Sequence, residues 1–264
     1  METEKFALVT GGTSGIGLEL ARLLAADEYN LVIVARNQQD LDDVSSELSQ
    51  LHPIKVITIQ KDLVNREAPR EVADALKAKG IKLDVLVNNA GQGVYGEFID
   101  TDLDRELSII QLNINACVVL TKYVLKDMVA RNSGRILNVS SIAGKVPGPY
   151  QAVYHGTKAF IHFFSEAVRN EISDTNVTIT SLLPGATDTD FFNKADMNAA
   201  KIVQNGDLAD PVMVAKDGYK ALMEGKDMVI SGFKNKAQVA MSGLMSDSKA
   251  ANQMRKQQEP VDNK

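Results

Sequence analysis

The sequence predicts a doubly wound α/β fold, with seven mainly parallel strands and helices on both faces of the sheet. Seven short runs rich in Val, Ile and Leu alternate with longer segments of helical period along the 264 residues. The runs are apolar throughout, not at every second position, which is typical of strands covered by helices on both faces. A glycine-rich turn joins the first run to the first helical segment. This β-α-β-α order favours a parallel sheet with crossover helices.

Each predicted element has its own local pattern. Strands are predicted where aliphatic and β-branched residues are contiguous, at residues 6–10, 31–35, 54–59, 83–88, 135–140, 177–183 and 227–231. Helices are predicted where apolar residues recur every three or four positions, at residues 16–26, 41–51, 66–79, 103–130, 152–172 and 211–223. No repeat or low-complexity linker interrupts this alternation, so we expect a single domain over residues 1–264.

Two stretches in the last third lie outside the alternation. Residues 186–210 carry no clear strand but contain Phe191, Phe192 and Met197, and a long loop inside a compact domain is often a lid over an active site. Residues 246–264 are polar, with charges of both signs, and are predicted to form a short C-terminal helix with a tail. We expect residues after 185 to form the substrate lid, the last strand and subunit contacts.

The composition excludes several classes of protein. With 44% hydrophobic and 24% charged residues, it is close to the globular average, and a net charge of −5 provides no basic surface for nucleic-acid phosphates. Cys117 is the only cysteine, which excludes an intrachain disulfide and a cysteine-based zinc site. We expect no secretory signal, and no segment close to the roughly 18 apolar residues of a membrane span. The expected protein is cytoplasmic and binds neither nucleic acid nor membranes.

The glycine-rich turn after the first strand reads Thr-Gly-Gly-Thr-Ser-Gly-Ile-Gly over residues 10–17. Glycine lets the backbone turn tightly and approach a pyrophosphate, and the following helix N-terminus offers free N–H groups to the phosphates. The spacing differs from the common G-x-G-x-x-G fingerprint, and a glycine turn without a ligand is the alternative. If a dinucleotide binds, its contacts are expected from Gly11, Thr13, Ser14, Gly15, Ile16 and Gly17.

Further motifs follow along the chain, each at the end of a strand or within a helix. In order they are Asn88-Asn89-Ala90-Gly91, Asn113, Ser140-Ser141, Tyr154-x-x-x-Lys158 and Pro184-Gly185. Together with the N-terminal turn, this set resembles the short-chain dehydrogenase/reductase family over residues 6 to about 190. The resemblance implies a Rossmann fold and an NAD(P)-dependent oxidoreductase of the carbonyl reductase type. Such an enzyme transfers hydride between nicotinamide C4 and a carbonyl or secondary alcohol substrate.

The end of the second strand bears on the choice between NAD and NADP. In a dinucleotide fold an acid here binds the ribose hydroxyls, whereas an arginine accommodates the 2′-phosphate. This strand ends in Ala35-Arg36 and lacks the acid. Because a guanidinium can hold phosphate through two parallel hydrogen bonds, NADP(H) is favoured over NAD(H). The alternative is that Arg36 only solvates the strand end or pairs with Asp40.

The resemblance implies contacts with the adenosine half of the cofactor, made by Asp62, Leu63, Asn89, Ala90 and Gly91. Asp62 could instead cap a helix that begins nearby. Near the nicotinamide, the implied contacts come after the sixth strand, from Pro184, Gly185 and either Thr187 or Thr189. A threonine hydroxyl can both donate to and accept from a carboxamide, and the alternative is that each threonine stabilises a turn.

Tyr154 and Lys158 lie four residues apart, so a helix places both on one face. A free tyrosine has a pKa of about 10, and an adjacent ammonium is expected to lower that pKa toward the range useful for general acid–base catalysis. The spacing alone is also common on solvated helices. Ser141 adds weight because it lies at the carboxyl end of a strand, where open α/β sheets bind ligands.

The resemblance implies a role for each residue of this group. Tyr154 is the general acid and base, Ser141 donates to the substrate oxygen, and Lys158 lies beside both the cofactor and Tyr154. Asn113 holds a water that links Lys158 to solvent; the alternative for Asn113 is a buried helical asparagine that satisfies backbone groups. A non-catalytic NADP-binding regulator with the same fold remains the second functional hypothesis.

Other chemistries are disfavoured. The three histidines lack metal-ligand spacing, so we predict no catalytic metal, and His155 is expected to point away from the catalytic face. Cys117 is expected to be a buried, inert thiol. Ser141 lacks the Gly-x-Ser-x-Gly elbow of a serine hydrolase, and a nucleotide-sugar epimerase would need a different glycine spacing and a larger C-terminal domain.

The expected substrate pocket consists of residues 92–96, the segment after Ser141 and the lid. Its apolar side chains favour a hydrophobic or medium-sized carbonyl compound. The helices predicted at 103–130 and 152–172 carry apolar residues, including Phe160 and Phe163, on more than one face, so each is either buried or shared with another subunit. The resemblance implies a homodimer or homotetramer, and core packing is the alternative.

Overall fold

The structure, a computed structural model, describes residues 4–204, 206 and 208–261. In this part of the chain, seven strands form one parallel sheet in the order β3-β2-β1-β4-β5-β6-β7. They are β1 (Phe6–Thr10), β2 (Asn30–Ala35), β3 (Val56–Gln60), β4 (Val85–Asn88), β5 (Gly134–Val139), β6 (Val177–Leu183) and β7 (Met228–Ile230). The strand order reverses between β1 and β4, which creates a crevice at the carboxyl edge where such sheets bind ligands. The predicted fold class is confirmed.

Helices connect the strands and cover both faces of the sheet. Within the described residues they are α1 (Gly15–Ala26), α2 (Gln38–Leu51), α3 (Ala68–Ala78), α4 (Leu103–Ile110), α5 (Cys117–Arg131), α6 (Ala152–Glu171), α7 (Phe191–Lys194), α8 (Lys201–Gln204), α9 (Pro211–Met223), α10 (Phe233–Ser242) and α11 (Asp247–Gln258). Helix α10 was not predicted, because it lacks a buried apolar face: none of its residues is buried. The predicted tail reaches residues 262–264, which lie outside the described chain.

Two separate cores account for the uniformly apolar strands. Adjacent residues of one strand point to opposite faces, so Val9 packs with side chains of α1, α2 and α9. Leu8 packs on the other face with side chains of α3 and α5. Both side chains are fully buried. The central strands therefore require apolar residues at every position, as the sequence pattern indicated.

The segment predicted as one long helix is divided by a π-helical turn, Gln111–Ala116, between α4 and α5. Its composition also differs from our expectation: among the described residues, Leu103–Arg131 is long and apolar enough to cross a membrane, with a mean hydropathy of 1.4 in its most apolar window. The expectation that no segment comes near this criterion was wrong. In the fold, α5 packs against α3, β4 and β5 as a core helix.

Candidate active site

A cleft of about 750 Å³ opens at the carboxyl edge of the sheet. It contains most of the predicted site residues, and these are Gly11, Thr13, Ser14, Gly15, Ile16, Arg36, Asp62, Leu63, Asn89, Ala90, Gly91, Ser141, Tyr154, Lys158, Pro184, Gly185, Thr187 and Thr189. Gly17 and Asn113 do not line it. The sheet topology thus brings together residues that are as much as 178 positions apart in sequence (11 to 189).

The positions of the turn after β1 require glycine for different structural reasons. Gly11 and Gly15 adopt φ values of +64° and +54°, a left-handed region that disfavours side chains with a Cβ. A Cβ on Gly17 would lie 2.2 Å from the Gly11 carbonyl oxygen and 2.3 Å from Asn89 Nδ2. Gly17 is therefore required for the helix to approach the turn closely, although it makes no wall of the cleft.

Asn89 and Thr10 hold this turn against the end of β4. Asn89 Nδ2 donates to the carbonyl oxygens of Thr10 and Gly11, at 3.0 and 3.1 Å. The backbone N–H groups of Asn89 and Ala90 both donate to Thr10 Oγ1 at 3.0 Å. Asn89, which was predicted to contact the adenosine half of the cofactor, thus fixes the shape of the turn. Thr10 is a supporting residue that sequence reasoning missed.

The cleft fits a dinucleotide at its phosphate side. Helix α1 begins at Gly15, and no side chain caps its N-terminus, so its first N–H groups are free to bind phosphate. Arg36 follows β2, is exposed, and lines the cleft. Within the described chain its guanidinium has no hydrogen-bond or ion-pair partner. Asp40, the alternative partner, instead accepts from Asn37 Nδ2 at 3.1 Å.

Other predicted cofactor contacts show local hydrogen bonds. Asp62 Oδ1 accepts from the Val64 N–H at 3.0 Å, which stabilises a turn after β3 and not the start of α3. Thr187 is buried and donates to the Gly185 carbonyl at 3.0 Å. Thr189 lies against the glycine turn, because a Cβ on Gly15 would be 2.9 Å from its Cγ2. The segment after β6 therefore reaches across the cleft to the turn after β1.

Tyr154 and Lys158 lie on one face of α6, as predicted. The Lys158 Nζ is 5.7 Å from the centroid of the Tyr154 ring and donates to the Val139 carbonyl at 2.9 Å. Burial lowers the pKa of Lys158 to about 8. Burial also raises the pKa of Tyr154 to about 12, an effect that a hydrogen bond with Ser141 opposes. The pKa of Tyr154 thus moves opposite to the direction expected from an adjacent ammonium.

The two serines after β5 have distinct environments. Ser140 Oγ donates to the Lys158 carbonyl at 2.7 Å and ties the strand to α6. Ser141 Oγ accepts from the Ala143 N–H at 3.1 Å, at the start of the 3₁₀ turn Ile142–Lys145, and makes a long 3.3 Å contact with the Pro184 carbonyl. Ser141 is therefore held in place by the backbone, near the hydroxyl of Tyr154.

Asn113 lies in the π-helical turn, buried behind the cleft. Its Oδ1 accepts from the Gln92 N–H, and its Nδ2 donates to the Gln92 carbonyl and to Thr157 Oγ1. This matches the alternative of a buried asparagine that satisfies backbone groups. A small cavity of about 10 Å³ lies beside Asn113 and Lys158, close to the lower volume limit for one water molecule.

The lid and the C-terminal helix form the opposite wall. Phe192, Ala195, Met197 and Ala200 make a small apolar core within residues 186–210, of which 205 and 207 lie outside the described chain. The Phe191 ring centroid is 5.1 Å from that of Tyr154. Of the predicted pocket segment at 92–96, Gln92 lines the cleft. The wall also includes Met254 and Gln258 of α11, which sequence reasoning missed because no local pattern indicates where a terminal helix docks.

His155 was predicted to point away from this site, and that prediction was wrong. It is buried, lines the cleft, and its ring centroid lies 6.1 Å from that of Tyr154. Neighbouring helix positions are about 100° apart, but the 3₁₀ turn and α11 pack over this side of α6, so the cleft extends across more than one helix face. Gln151, at the start of α6, is a second missed wall residue.

Comparison with known proteins bears directly on this cleft. The family model of the short chain dehydrogenases matches residues 5–200, which include the glycine turn, Ser141, Tyr154 and Lys158. The chain belongs to the short-chain dehydrogenase family. This membership confirms the resemblance that the motifs indicated, and the chain is an NAD(P)-dependent oxidoreductase.

Two relatives of this short-chain dehydrogenase differ in how much of their own length the match covers. The very-long-chain 3-oxoacyl-CoA reductase of Bos taurus is 39% identical over 186 residues, 68% of this chain, and the match spans only 58% of that protein. An uncharacterized oxidoreductase of Staphylococcus epidermidis is 31% identical over 212 residues, 80% of this chain and 90% of the relative. The longer bovine protein therefore has regions with no counterpart in the match.

Solved structures agree with the fold of this short-chain dehydrogenase. A short-chain dehydrogenase from Sphingobium yanoikuyae in complex with NADPH superposes with a TM-score of 0.81 at 27% identity, covering 92% of this chain and 96% of that one. A bulky-bulky ketone specific alcohol dehydrogenase from Comamonas testosteroni gives 0.76 at 27% identity, covering 92% and 94%.

The single cysteine of this short-chain dehydrogenase does not line the cleft. Cys117 is buried, and burial raises the pKa of its thiol to about 12, so a thiolate is disfavoured at neutral pH. Within the residues that the structure describes, no three His, Cys, Asp or Glu side chains are grouped as a metal site.

Proposed function

We propose that this short-chain dehydrogenase is an NADP(H)-preferring carbonyl reductase. The observation that supports it is one cleft lined by the glycine turn, by the exposed Arg36 and by the group Ser141, Tyr154 and Lys158. A phosphate-binding end and an acid–base end in one cleft are what a nicotinamide-dependent reductase requires. The same cleft would serve an alcohol dehydrogenase operating in reverse.

The phosphate end favours NADP(H). When bound, the cofactor supplies a hydride at nicotinamide C4. The free N–H groups at the start of α1 bind the pyrophosphate, and the exposed guanidinium of Arg36 binds the 2′-phosphate. Asp62, Leu63, Ala90 and Gly91 line the adenosine part of the cleft, and Thr187 or Thr189 binds the carboxamide.

Tyr154 is the general acid in this proposal. Because burial raises its pKa to about 12, the phenol remains protonated at neutral pH, which is the form that can donate to a carbonyl oxygen. Ser141, fixed by the Ala143 N–H, donates a second hydrogen bond to the same oxygen. Both donors then stabilise the negative charge that develops on that oxygen during reduction.

Lys158 and Asn113 support the proton supply. Lys158, with a pKa of about 8, is near neutral pH able to hold or release a proton beside Tyr154. The cavity of about 10 Å³ next to Asn113 and Lys158 gives room for a water that returns a proton to the lysine. Asn113 thus has a positioning role, through its bonds to Gln92 and Thr157.

The substrate proposal is a carbonyl compound with apolar substituents, because Phe191, Met197 and Met254 line the wall opposite Tyr154. The Comamonas enzyme is named for bulky ketones and the bovine relative for a 3-oxoacyl-CoA, and these names support the proposal of a carbonyl substrate. NADPH oxidation, followed at its absorbance band over ketones, aldehydes, acyl thioesters, steroids and sugars with NADH in parallel, tests the proposal. NADPH binding without turnover on any of them would instead support the non-catalytic regulator.

A cytoplasmic homodimer or homotetramer completes the proposal. Apolar side chains remain exposed on the outer faces of the helices at 103–131 and of α6, among them Leu107, Tyr123, Phe160 and Phe163. Phe160 and Phe164 stack with ring centroids 5.9 Å apart. A clustered apolar face on a helix is typical of a surface that a second copy covers.

A further inference from the structure

The C-terminal helix α11 is tied to the substrate side of the cleft. The Tyr95 hydroxyl donates to the Gln258 carbonyl at 2.6 Å, and Arg255 pairs with Glu97 at 3.0 Å while lying over the Tyr150 ring. The first contact is made by the backbone of the helix, and the contacts of Arg255 are made by its exposed surface. They bring the buried side chain of Gln258, from near the end of the described chain, to residues at the start of α6.

A chain of hydrogen bonds fixes the orientation of two glutamine amides there. His155 Nδ1 is 2.8 Å from the Val146 carbonyl, and since a carbonyl only accepts, Nδ1 carries the proton and Nε2 is an acceptor. The group of Gln258 that lies 3.0 Å from Nε2 must therefore be its NH₂. The same Nε2 of Gln258 also donates to Gln151 Oε1 at 3.4 Å.

This orientation leaves the buried NH₂ group of Gln151, a residue that lines the cleft, without an acceptor. Among the described residues, neither Gln151 Nε2 nor Gln258 Oε1 has a hydrogen-bond partner, although the two residues are only 4% and 3% exposed. A Cβ built on Gly93 would lie 3.2 Å from Gln151 Nε2 and 3.4 Å from Tyr154 Cδ2. The free donor is thus beside the ring of the proposed general acid, and a buried donor without a partner is costly.

We propose that Gln151 binds a second oxygen of the substrate, and that Gln258 and His155 position its amide for this contact. The favoured substrate is a ketone that carries another hydrogen-bond acceptor two carbons from the reacting carbonyl, such as a 3-oxo ester. Its hydrocarbon part lies along Phe191 and Met254, which line the same wall. This inference rests on the proposed reductase function and adds a specificity-determining residue to it.

The reaction balances without change at the second oxygen. The reacting C=O gains a hydride from NADPH at carbon and a proton from Tyr154 at oxygen, so the ketone becomes a secondary alcohol and NADPH becomes NADP⁺. The ester carbonyl accepts a hydrogen bond from Gln151 and keeps its bonds. Gln151 is therefore a binding residue for the substrate, whereas Gln258 and His155 act through it.

A matched pair of substrates tests this role. Ethyl 3-oxohexanoate and 4-nonanone have the same chain length and the same position of the reacting carbonyl, and only the first carries the second oxygens. The measured quantity is the ratio of kcat/KM for the ester to that for the ketone. We expect Gln151→Glu, which preserves shape and the acceptor for Gln258 but replaces the free donor by an oxygen, to lower this ratio about 100-fold.

Two further variants separate positioning from packing. Gln258→Leu removes the group that orients Gln151 and is expected to lower the same ratio by about tenfold, with a smaller effect on 4-nonanone. Gln257→Leu, a matched change at the neighbouring position of α11, which does not line the cleft, is expected to leave the ratio unchanged. Thermal unfolding of each variant shows whether it is folded. If Gln258→Leu does not fold, the result for Gln151→Glu still decides the proposal.

Calorimetric binding to the protein saturated with NADP⁺ gives a readout without turnover. We expect wild type to bind ethyl 3-oxohexanoate more tightly than 4-nonanone and Gln151→Glu to lose that preference. Equal affinities in wild type, or an unchanged preference in Gln151→Glu, would overturn the role of Gln151. A preserved binding preference with no reduction of either compound would instead overturn only the reductase function and leave the subsite in place.

Discussion

The Nζ of Lys158 lies 5.7 Å from the centroid of the Tyr154 ring at the carboxyl edge of the sheet, where the lysine is buried and the tyrosine is half-buried. Burial disfavours the charged form of each, so the pKa of the lysine falls to about 8 while that of the tyrosine rises to about 12. At neutral pH the site thus holds a protonated phenol beside an amine whose pKa is about 8.

Replacing Tyr154 by Phe is expected to reduce kcat by a factor of roughly 100 to 10,000, the usual contribution of a general acid. The ring and its packing against Phe191 remain, so the Kd for NADPH, measured by fluorescence titration, is expected to stay within about twofold. Wild-type turnover in this variant would remove Tyr154 from the mechanism.

Arg36→Ala is expected to weaken NADPH far more than NADH. The lost hydrogen bonds to a charged phosphate correspond to a rise in KM for NADPH of about tenfold or more, whereas NADH has no 2′-phosphate to lose. Arg66→Ala serves as the control, because Arg66 is also exposed but does not line the cleft. Equal changes in KM for both cofactors would contradict the phosphate contact.

Lys158 is expected to make stability depend on pH above neutrality. Its folded pKa of about 8 lies below the ordinary 10.5, so between these values the unfolded chain binds a proton that the folded chain does not, and stability rises with pH. Relative to Lys158→Met, the wild type is expected to gain about 3 kcal/mol between pH 7.5 and 10.5. Urea unfolding of both, without cofactor, measures this; parallel pH curves would refute the burial of this charge.

Two glycine substitutions are expected to have opposite signs. Gly17→Ala places a Cβ 2.2 Å from the Gly11 carbonyl oxygen, which is expected to cost about 1–3 kcal/mol of stability and to weaken cofactor binding. Gly156→Ala, in α6, meets nothing within 4 Å and is expected to stabilise the helix by up to about 1 kcal/mol. Urea midpoints compare them, and a loss of equal size in both variants would argue against the packing role of Gly17.

Phe163→Glu is expected to shift the protein from dimer or tetramer toward monomer in sedimentation velocity. The residue is 66% exposed on the outer face of α6, where a charge would oppose burial by a second copy. Leu51→Glu is the matched control, because Leu51 is 67% exposed at the end of α2. A wild-type monomer, or the same assembly in all three proteins, would refute an interface at this face.

Local sequence patterns were sufficient for the fold class and for most of the cleft. The order of strands and helices, and the Gly11–Gly17 turn, depend on conformational preferences and burial that neighbouring residues express by themselves. In a parallel sheet the carboxyl ends of the strands lie on one edge, so motifs that follow strands meet there without any further information. For this reason Arg36, Ser141, Tyr154 and Lys158 could be assigned to one cleft before the structure was known.

Contacts between distant segments could not be obtained this way. The docking of α11 joins Gln258 to His155 across 103 residues. The direction of the Tyr154 pKa shift depends on how much protein surrounds the phenol, which no local pattern indicates. The fold, the cofactor turn and the reactive side chains could be predicted because they follow from local preferences. The substrate wall and the directions of the Tyr154 and Lys158 pKa shifts required the tertiary structure, because both arise from the packing of remote elements, which excludes water.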